Sequence, residues 1–498
     1  MSEDRPTGPD RFVVDRSWTR PEHGDVVVAG SPLRLFRLGP AGVLVVEAIE
    51  RGEPCPSGHE PLTDRLVDAG AVHPLPGPAR AYGAGEVTAV IPVHDEDRAV
   101  LAALVGRLGA LGEVVVVDDA STEPVGELAG ARVVRLHRNR GPAAARNAAL
   151  GAVRTAVALF LDADTEPPDG DWLGPLLAHL DDERVGLVAP RVVSVGAPGV
   201  LGAFDAARSP LDLGPHPARI RPGTRVSYVP AAALLVRLGA LASVGGFDEA
   251  LRYGEDVDLV WRLVEAGWAC RYEPTVSVGH RPRRNLAAFA RQRYSYGTSA
   301  APLARRHPGA LAPARVSGWS AAVWGFAAAG HPLVAVTTAA ATTAALARRL
   351  RNVPRPWRLA LRFAGLGHVF AGRTLAAAVT RAWWPIAAVV AVRGSRRARL
   401  VVTAAAVVPA LVDWRERRPG VDPIRYTALA LLDDAAYGWG LWRGCLAERE
   451  IGPLLPELAS WPRTPQTHNS PSKPRLQSQR RSTTATSEAP IRSTPTTR

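Results

Sequence analysis

The chain has 498 residues, with 60 basic against 47 acidic side chains for a net charge of +13, and 47% of it is hydrophobic. At roughly 100–200 residues per domain this is enough for several domains with real cores, and 21% charged residues excludes a chain that stays unfolded throughout. Cys55, Cys270 and Cys445 lie far apart with no CxxC pair, which excludes a disulfide scaffold and a zinc ribbon and fits a reducing compartment.

Residues 1–10 are a polar leader with no apolar run behind them, so no signal peptide is expected. Residues 11–75 read as a small α+β unit. Val26–Val28 and Leu33–Leu38 have strand character, a helix begins after Gly39 with Pro40 in its first turn, and Leu62–Asp68 is a second helix ended at Gly70. A Pro- and Gly-rich stretch from Pro74 leads through a linker at 76–85.

From Glu86 short unalternating apolar runs (Val87–Val93, Glu113–Val117, Arg132–Leu136, Ala156–Leu161) are separated by helical stretches at Ala99–Leu111 and Gly141–Val153. That is the pattern of a parallel sheet buried on both faces. Ligands in such sheets bind beyond the carboxyl ends of the strands. Asp95, Asp118, Asp119, Asp162 and Asp164 all fall just after a strand, so three strand ends deliver carboxylates to one edge.

Beyond Asn285 the chain reads as helical and apolar. Val316–Ala347 carries no formal charge over 32 residues but is interrupted at His331-Pro332. Trp383–Val392 and Leu400–Val412 are too short to span a bilayer alone. From Arg283 to Arg418 there are 22 Arg against Asp413 and Glu416, a balance of +20, and the 139 residues between Glu273 and Asp413 hold no acid. Residues 463–498 add +6 in a Ser/Thr/Pro/Arg-rich tail expected to be disordered, which leaves −13 for the remainder. A biased composition explains 59 Arg against the single Lys473, but not the missing acids.

Basic residues bordering apolar runs point to an anionic membrane surface on the cytoplasmic side. Interfacial helices, one or two marginal spans and a buried bundle all fit residues 286–462. An acidic body with an apolar basic segment is not a nucleic-acid pattern.

Asp162-Ala163-Asp164 follows the strand Leu159–Leu161, and its two carboxylates can reach a divalent cation. Hard cations prefer oxygen and bridge diphosphates, which favours Mg²⁺ or Mn²⁺. His280, after Thr275–Val278, is a candidate third ligand. Pro92, His94, Asp95 and Glu96 at the first strand end, and Asp118 and Asp119 at the second, can frame a nucleotide base and ribose, or simply cap turns. Arg146, in the helix opened by Gly141, can pair with base or phosphate. Asp256, beside Glu255 at a helix start, can act as a general base, or merely cap that helix.

The stretches Ala89–Glu96, Val115–Ser121, Asn139–Asn147, Leu159–Asp164, Gly245–Asp248 and Gly254–Leu259 together resemble the family-2 glycosyltransferases, inverting enzymes of the GT-A fold, over about residues 86–285. The resemblance implies an α/β Rossmann-like nucleotide-diphospho-sugar domain, a nucleotide-sugar donor that also touches Asp162, a metal on Asp162 and Asp164, and Asp256 as base.

The whole-chain layout is similar to that of the mycofactocin-biosynthesis glycosyltransferases, an actinobacterial family. It rests on Ala29–Leu38, Arg65–Gly70, Arg291–Ser299 and Asp433–Cys445. This implies a PqqD-like, winged-helix-like peptide-binding unit at 11–75. It also implies transfer of glucose from UDP-glucose to a peptide-derived redox-cofactor precursor as a β-1,4-linked chain. Processive cellulose-type synthases carry Gln-x-x-Arg-Trp; here Gln292, Arg293, Tyr294 and Tyr296 stand in that place as candidate acceptor-binding residues, and the strict motif is absent. The alternative acceptors are a polyprenyl phosphate, cell-wall polymer or exopolysaccharide.

Overall fold

The computed structural model describes residues 9–196 and 198–460. The first eight residues of the leader and the tail at 463–498 lie outside the described residues. The N-terminal unit holds β1 (Phe12–Val14), β2 (Val26–Ala29), β3 (Arg34–Arg37), α1 (Pro40–Arg51), α2 (Glu60–Asp68) and β4 (Val72–Pro74). Pro40 occupies the first turn of α1, and Gly52 ends it with a φ of 70°, a conformation that glycine adopts without strain. β1 pairs antiparallel with β4, and β2 with β3. Val27, Val46, Ile49 and Leu66 form the unit's core.

The second part is β5 (Val87–Val93), α3 (Arg98–Arg107), β6 (Glu113–Asp118), β7 (Arg132–Arg135), α4 (Pro142–Leu150), β8 (Val157–Leu161), β9 (Thr165–Glu166), α5 (Gly174–Ala178), β10 (Val185–Ser194), α6 (Gly199–Arg208), β11 (Ala218–Arg219), β12 (Ala233–Arg237), α7 (Leu238–Ser243), α8 (Glu255–Glu265) and β13 (Ala269–His280). Its sheet runs in the order β11-β13-β10-β12-β8-β5-β6-β7, with β9 on β13. Only the β8-β5-β6-β7 half is wholly parallel. β12 lies antiparallel to both β8 and β10, so the sheet is mixed. The strands are apolar on both faces because both are covered. Leu101, Leu104 and Leu176 pack on one face, and Ala145, Ala149, Leu259 and Trp261 on the other.

The third part is helical: α9 (Leu286–Thr298), α10 (Ala300–Arg306), β14 (Arg315–Ser317), α11 (Gly318–Ala328), α12 (Pro332–Arg349), α13 (Pro356–Ala360), α14 (Leu366–Arg381), α15 (Trp384–Arg393), α16 (Arg396–Arg417), α17 (Pro423–Glu448) and β15 (Glu457–Ser460). α9 and α17 cross with their backbones in contact. A Cβ added at Gly297 would sit 2.1 Å from the Tyr437 carbonyl oxygen, and one at Gly440 would sit 2.0 Å from that of Tyr294.

Charges lock the same crossing. Arg293 reaches Asp205 at 2.9 Å and Asp433 at 3.2 Å. Arg381 reaches Asp434 at 2.7 Å, Arg208 reaches Asp413 at 3.0 Å, and Arg417 reaches Asp413 at 2.6 Å. The few acids of this region therefore tie it to α6 of the sheet domain.

The rest of the helical part leaves much apolar surface bare. Leu333 is 81% exposed and Val392 78%, with Val336, Trp357, Leu361, Phe370, Ile386 and Leu400 also exposed. No single helix among the described residues is long and apolar enough to cross a membrane; Pro356–Arg381 and Trp384–Arg393 together would be, but they are bent by 83°.

The N-terminal unit touches both other parts. Val26 and Val28 pack on Val353 and Leu359. Buried Asp15 accepts from Ser17, from His73 at 3.1 Å, and from Arg225 at 3.1 Å. The Arg225 N–H donates to Ser31 Oγ at 2.9 Å.

Candidate active site

The strand ends converge as the apolar runs require, and the carboxylates they deliver fall into two groups. At β5 and β6 the acids hold loops. Asp95 sits at φ 55° and accepts from the Thr122 N–H at 2.7 Å, while its own N–H donates to Ser121 Oγ. Asp118 is buried; it accepts from the Ser121 and Val125 N–H groups and pairs with Arg135. Asp119 accepts from the N–H groups of Arg140 and Gly141, each at 2.7 Å. His94 Nδ1 lies 3.1 Å from the Asp119 carbonyl oxygen. Pro92, at the end of β5, tolerates its missing N–H there, and Glu96 is half-buried. These residues form one wall, with Asp118 and Asp119 shaping it by fixing the loops.

At β8 the acids stand free of such backbone bonds. Asp162 receives Arg146 Nη2 at 2.7 Å, and Arg146 also reaches Glu255 at 2.8 Å. The Arg146 guanidinium is buried over the Phe247 ring. Asp164 lies 3.3 Å from His280 Nε2 and 3.8 Å from Arg283. Asp162, Asp164 and His280 each offer one ligand atom, all within 4.8 Å of one another. Two carboxylates and one imidazole at this spacing suit a divalent metal.

Across from them, Asp256 accepts from the Val257 N–H at 2.8 Å and the Ala231 N–H at 3.2 Å. Burial raises its carboxyl above the usual range, and those two N–H groups oppose the rise. Burial, with the neighbouring Asp256 charge, pushes Glu255 up to about 7 against the pull of Arg146. Burial also raises Asp164; His280 opposes the rise and Asp162 adds to it. Raised carboxylates beside an incomplete set of cations mark a functional site.

The α9 motif divides. Arg293 is turned away into its ion pairs with Asp205 and Asp433, so its guanidinium is committed to the helix crossing. The Tyr294 backbone lies against Gly440. Gln292 and Tyr294 are half-buried. Tyr296 is half-buried; burial raises its hydroxyl pKa, the Arg293 charge opposes the rise and the Asp256 charge adds to it.

Sequence reasoning missed Tyr228, which burial and the Asp256 charge push up to about 12. It sits on the loop at 221–231, whose Ser227 carbonyl accepts from Trp261 and whose Ala231 N–H holds Asp256. No periodicity or charge pattern marks it. The strand edge therefore brings together a metal-suited acidic corner and the raised Asp256 carboxyl, whose charge is felt by Tyr228 and Tyr296. That set can hold a diphosphate and deprotonate a hydroxyl.

Comparison with known proteins agrees. Residues 88–224 match glycosyl transferase family 2, and residues 157–393 match glycosyl transferase family group 2. The chain is 41% identical over 479 residues to the pre-mycofactocin glycosyltransferase of Mycobacterium tuberculosis (strain ATCC 25618 / H37Rv), covering 90% of this chain and 98% of that protein. It is 30% identical over 214 residues to the succinoglycan biosynthesis protein ExoO of Rhizobium meliloti (strain 1021), covering 38% and 59% respectively. Among solved structures it is similar to the mannosyltransferase PcManGT from Pyrobaculum calidifontis in complex with GDP-Man and Mn²⁺, at 19% identity and a TM-score of 0.42, over 74% of this chain and 90% of that one. Identity at that level over nearly the whole relative, on a strand edge carrying these carboxylates, makes the chain a GT-A enzyme of glycosyltransferase family 2 that belongs to the pre-mycofactocin glycosyltransferases.

Proposed function

We propose that the enzyme transfers glucose from UDP-glucose to a peptide-derived mycofactocin precursor, with inversion, and builds a β-1,4-linked oligoglucose chain. The observation that carries this reading is the 41% identity over 98% of the M. tuberculosis relative. Asp162, Asp164 and His280 would hold Mg²⁺ or Mn²⁺, which when bound neutralises the donor diphosphate. Arg146, clamped between Asp162 and Glu255, keeps Asp162 aimed at that corner. The donor base lies against the wall of Pro92, His94, Asp95 and Glu96, braced by Asp118 and Asp119. Asp256 takes the proton from the acceptor hydroxyl as it attacks; its raised pKa suits a base working near neutrality. Tyr228 and Tyr296 offer aromatic faces to the acceptor.

The N-terminal unit engages the precursor along β3, where Leu33 and Leu35 are exposed beside an open strand edge. The bare apolar helices and their arginines rest on the cytoplasmic face of an anionic membrane. That same surface favours, as a second reading, a polyprenyl-phosphate or cell-wall acceptor.

Incubation of the full chain with labelled UDP-glucose and the purified precursor, read by product mass, tests the proposal. Hexose added to the precursor supports it. Label entering lipid in membranes from a strain lacking the precursor peptide would transfer the case to the second reading. A screen with other nucleotide sugars tests the donor.

A further inference from the structure

Between α14, α15, α16 and α17 lies a groove of about 370 Å³, within the range of about 300–1,000 Å³ for ligand pockets. Trp384, Ala388, Ala391, Val402, Ala406 and Trp439 line it. Its polar lining, Thr380 and Asp434, is satisfied within the protein. The Thr380 hydroxyl donates to Asp434 at 2.7 Å, and Arg381 donates to the other Asp434 oxygen at 2.7 Å. Apart from the indole nitrogens, of which Trp384 Nε1 is buried without a hydrogen-bond partner among the described residues, the groove offers a guest no unmet hydrogen bond, so most polar groups of a sugar or peptide placed there would go unpaired. A hydrocarbon chain fits, and the row of alanines leaves room for an unbranched one.

Its surroundings carry charge. Arg393 lies two residues beyond Ala391, and Arg399 three residues before Val402. With Arg396 and Arg397 they form an exposed cationic corner at the turn from α15 to α16, with no carboxylate partner among the described residues. Ile386, Val389 and Val392 on α15 continue the apolar surface outward.

We propose that this groove binds one acyl chain of an anionic membrane phospholipid, with the phosphate on Arg393, Arg396, Arg397 and Arg399. The inference rests on the membrane-surface reading above and deepens it, turning a surface that merely adsorbs into one that holds a single lipid.

The test uses the full chain, vesicles of dioleoylphosphatidylglycerol or dioleoylphosphatidylcholine, and native mass spectrometry after detergent exchange. Wild type should cosediment with the anionic vesicles and retain one phosphatidylglycerol. A388W, which fills the groove, should still cosediment but lose the retained lipid. Retention by a folded A388W equal to wild type would overturn the groove and leave the surface reading standing. Failure of wild type to cosediment with either vesicle would overturn the surface reading itself.

A second measurement does not depend on A388W folding. Phosphatidylglycerol with brominated acyl chains should quench wild-type tryptophan fluorescence, and W439F should lose a distinct part of that quenching. Identical quenching in W439F would reject the groove.

Discussion

At the strand edge Asp162, Asp164, Glu255 and Asp256 face Arg146, Arg283 and His280; at the α9–α17 crossing Asp205, Asp413, Asp433 and Asp434 face Arg208, Arg293, Arg381 and Arg417. Both clusters are at least partly buried, and both are built mainly from aspartates and arginines. The crossing is matched four against four, so its charges need nothing from outside and serve to hold helices in register. The strand edge has two arginines for its four acids, and burial raises three of those carboxyls. A bound cation would offset that excess, as would protonation of the raised carboxyls. The lesson is that the balance of a buried charge cluster, more than its size, separates a site from a brace.

Substitutions should expose that difference. The largest effect is on turnover: Asp164→Asn or Asp256→Asn should each lower it by roughly 10²–10⁴, measured with saturating donor. Asp164→Asn should not lower the melting temperature of the metal-free protein, because it removes a charge that burial disfavours; Asp256→Asn should lower it only slightly, since the lost charge offsets the one backbone N–H left facing an amide NH₂. A fall in stability comparable to the loss of a structural ion pair would show the strand edge to be a brace as well.

Next is Arg293→Met, which takes the arginine from Asp205 and the nearest of three arginines from Asp433 and should cost about 3–5 kcal/mol, read by denaturant unfolding. Loss of turnover without loss of stability would return Arg293 to the acceptor site. Gly440→Val forces a side chain into the Tyr294 carbonyl and should cost about 1–3 kcal/mol as overpacking. Wild-type stability in that variant would mean that the helices separate readily.

The smallest effect is a pH dependence outside both clusters. Burial holds His179 below its ordinary pKa, although Glu273 lies 2.9 Å away and opposes the shift. The folded state therefore binds fewer protons than an unfolded chain whose histidines titrate near about 6.5. The stability contribution is complete above that pH and declines as pH falls below it. His179→Gln should flatten that decline in a thermal-melt series; an unchanged slope would assign it to other groups.

The strand-edge acids were legible because strands leave an unmistakable mark: an unalternating apolar run followed at once by Asp118, Asp119, Asp162 or Asp164. What each acid does there was less legible. Asp118 and Asp162 follow similar runs, yet Asp118 is wrapped by backbone N–H groups as well as Arg135, and Asp162 is met by the Arg146 guanidinium without them. That distinction depends on the loop folding back at Val125 and on α4 carrying Arg146 to Asp162.

The antiparallel β12 was not anticipated because a central strand reads the same in either direction. Arg293 looked like an acceptor ligand because the partners that claim it, Asp205 and Asp433, are 88 and 140 positions distant. The two stretches Arg291–Ser299 and Asp433–Cys445 were recognised separately as family marks. The structure shows them to be two sides of one crossing, with Gly297 and Gly440 allowing the contact.

The tether from Asp15 to Arg225 changes how the N-terminal unit should be probed. Arg225 lies on the same loop that carries Tyr228 and ends at Ala231, the residue holding Asp256. Cutting away residues 1–75 would leave that guanidinium without its carboxylate and would uncover Val353 and Leu359. A truncated enzyme would then report damage to the catalytic face, whatever the unit recruits. The informative variants are point changes on the solvent side of β3, such as Leu35→Asp, where recognition can be lost while the seam stays shut.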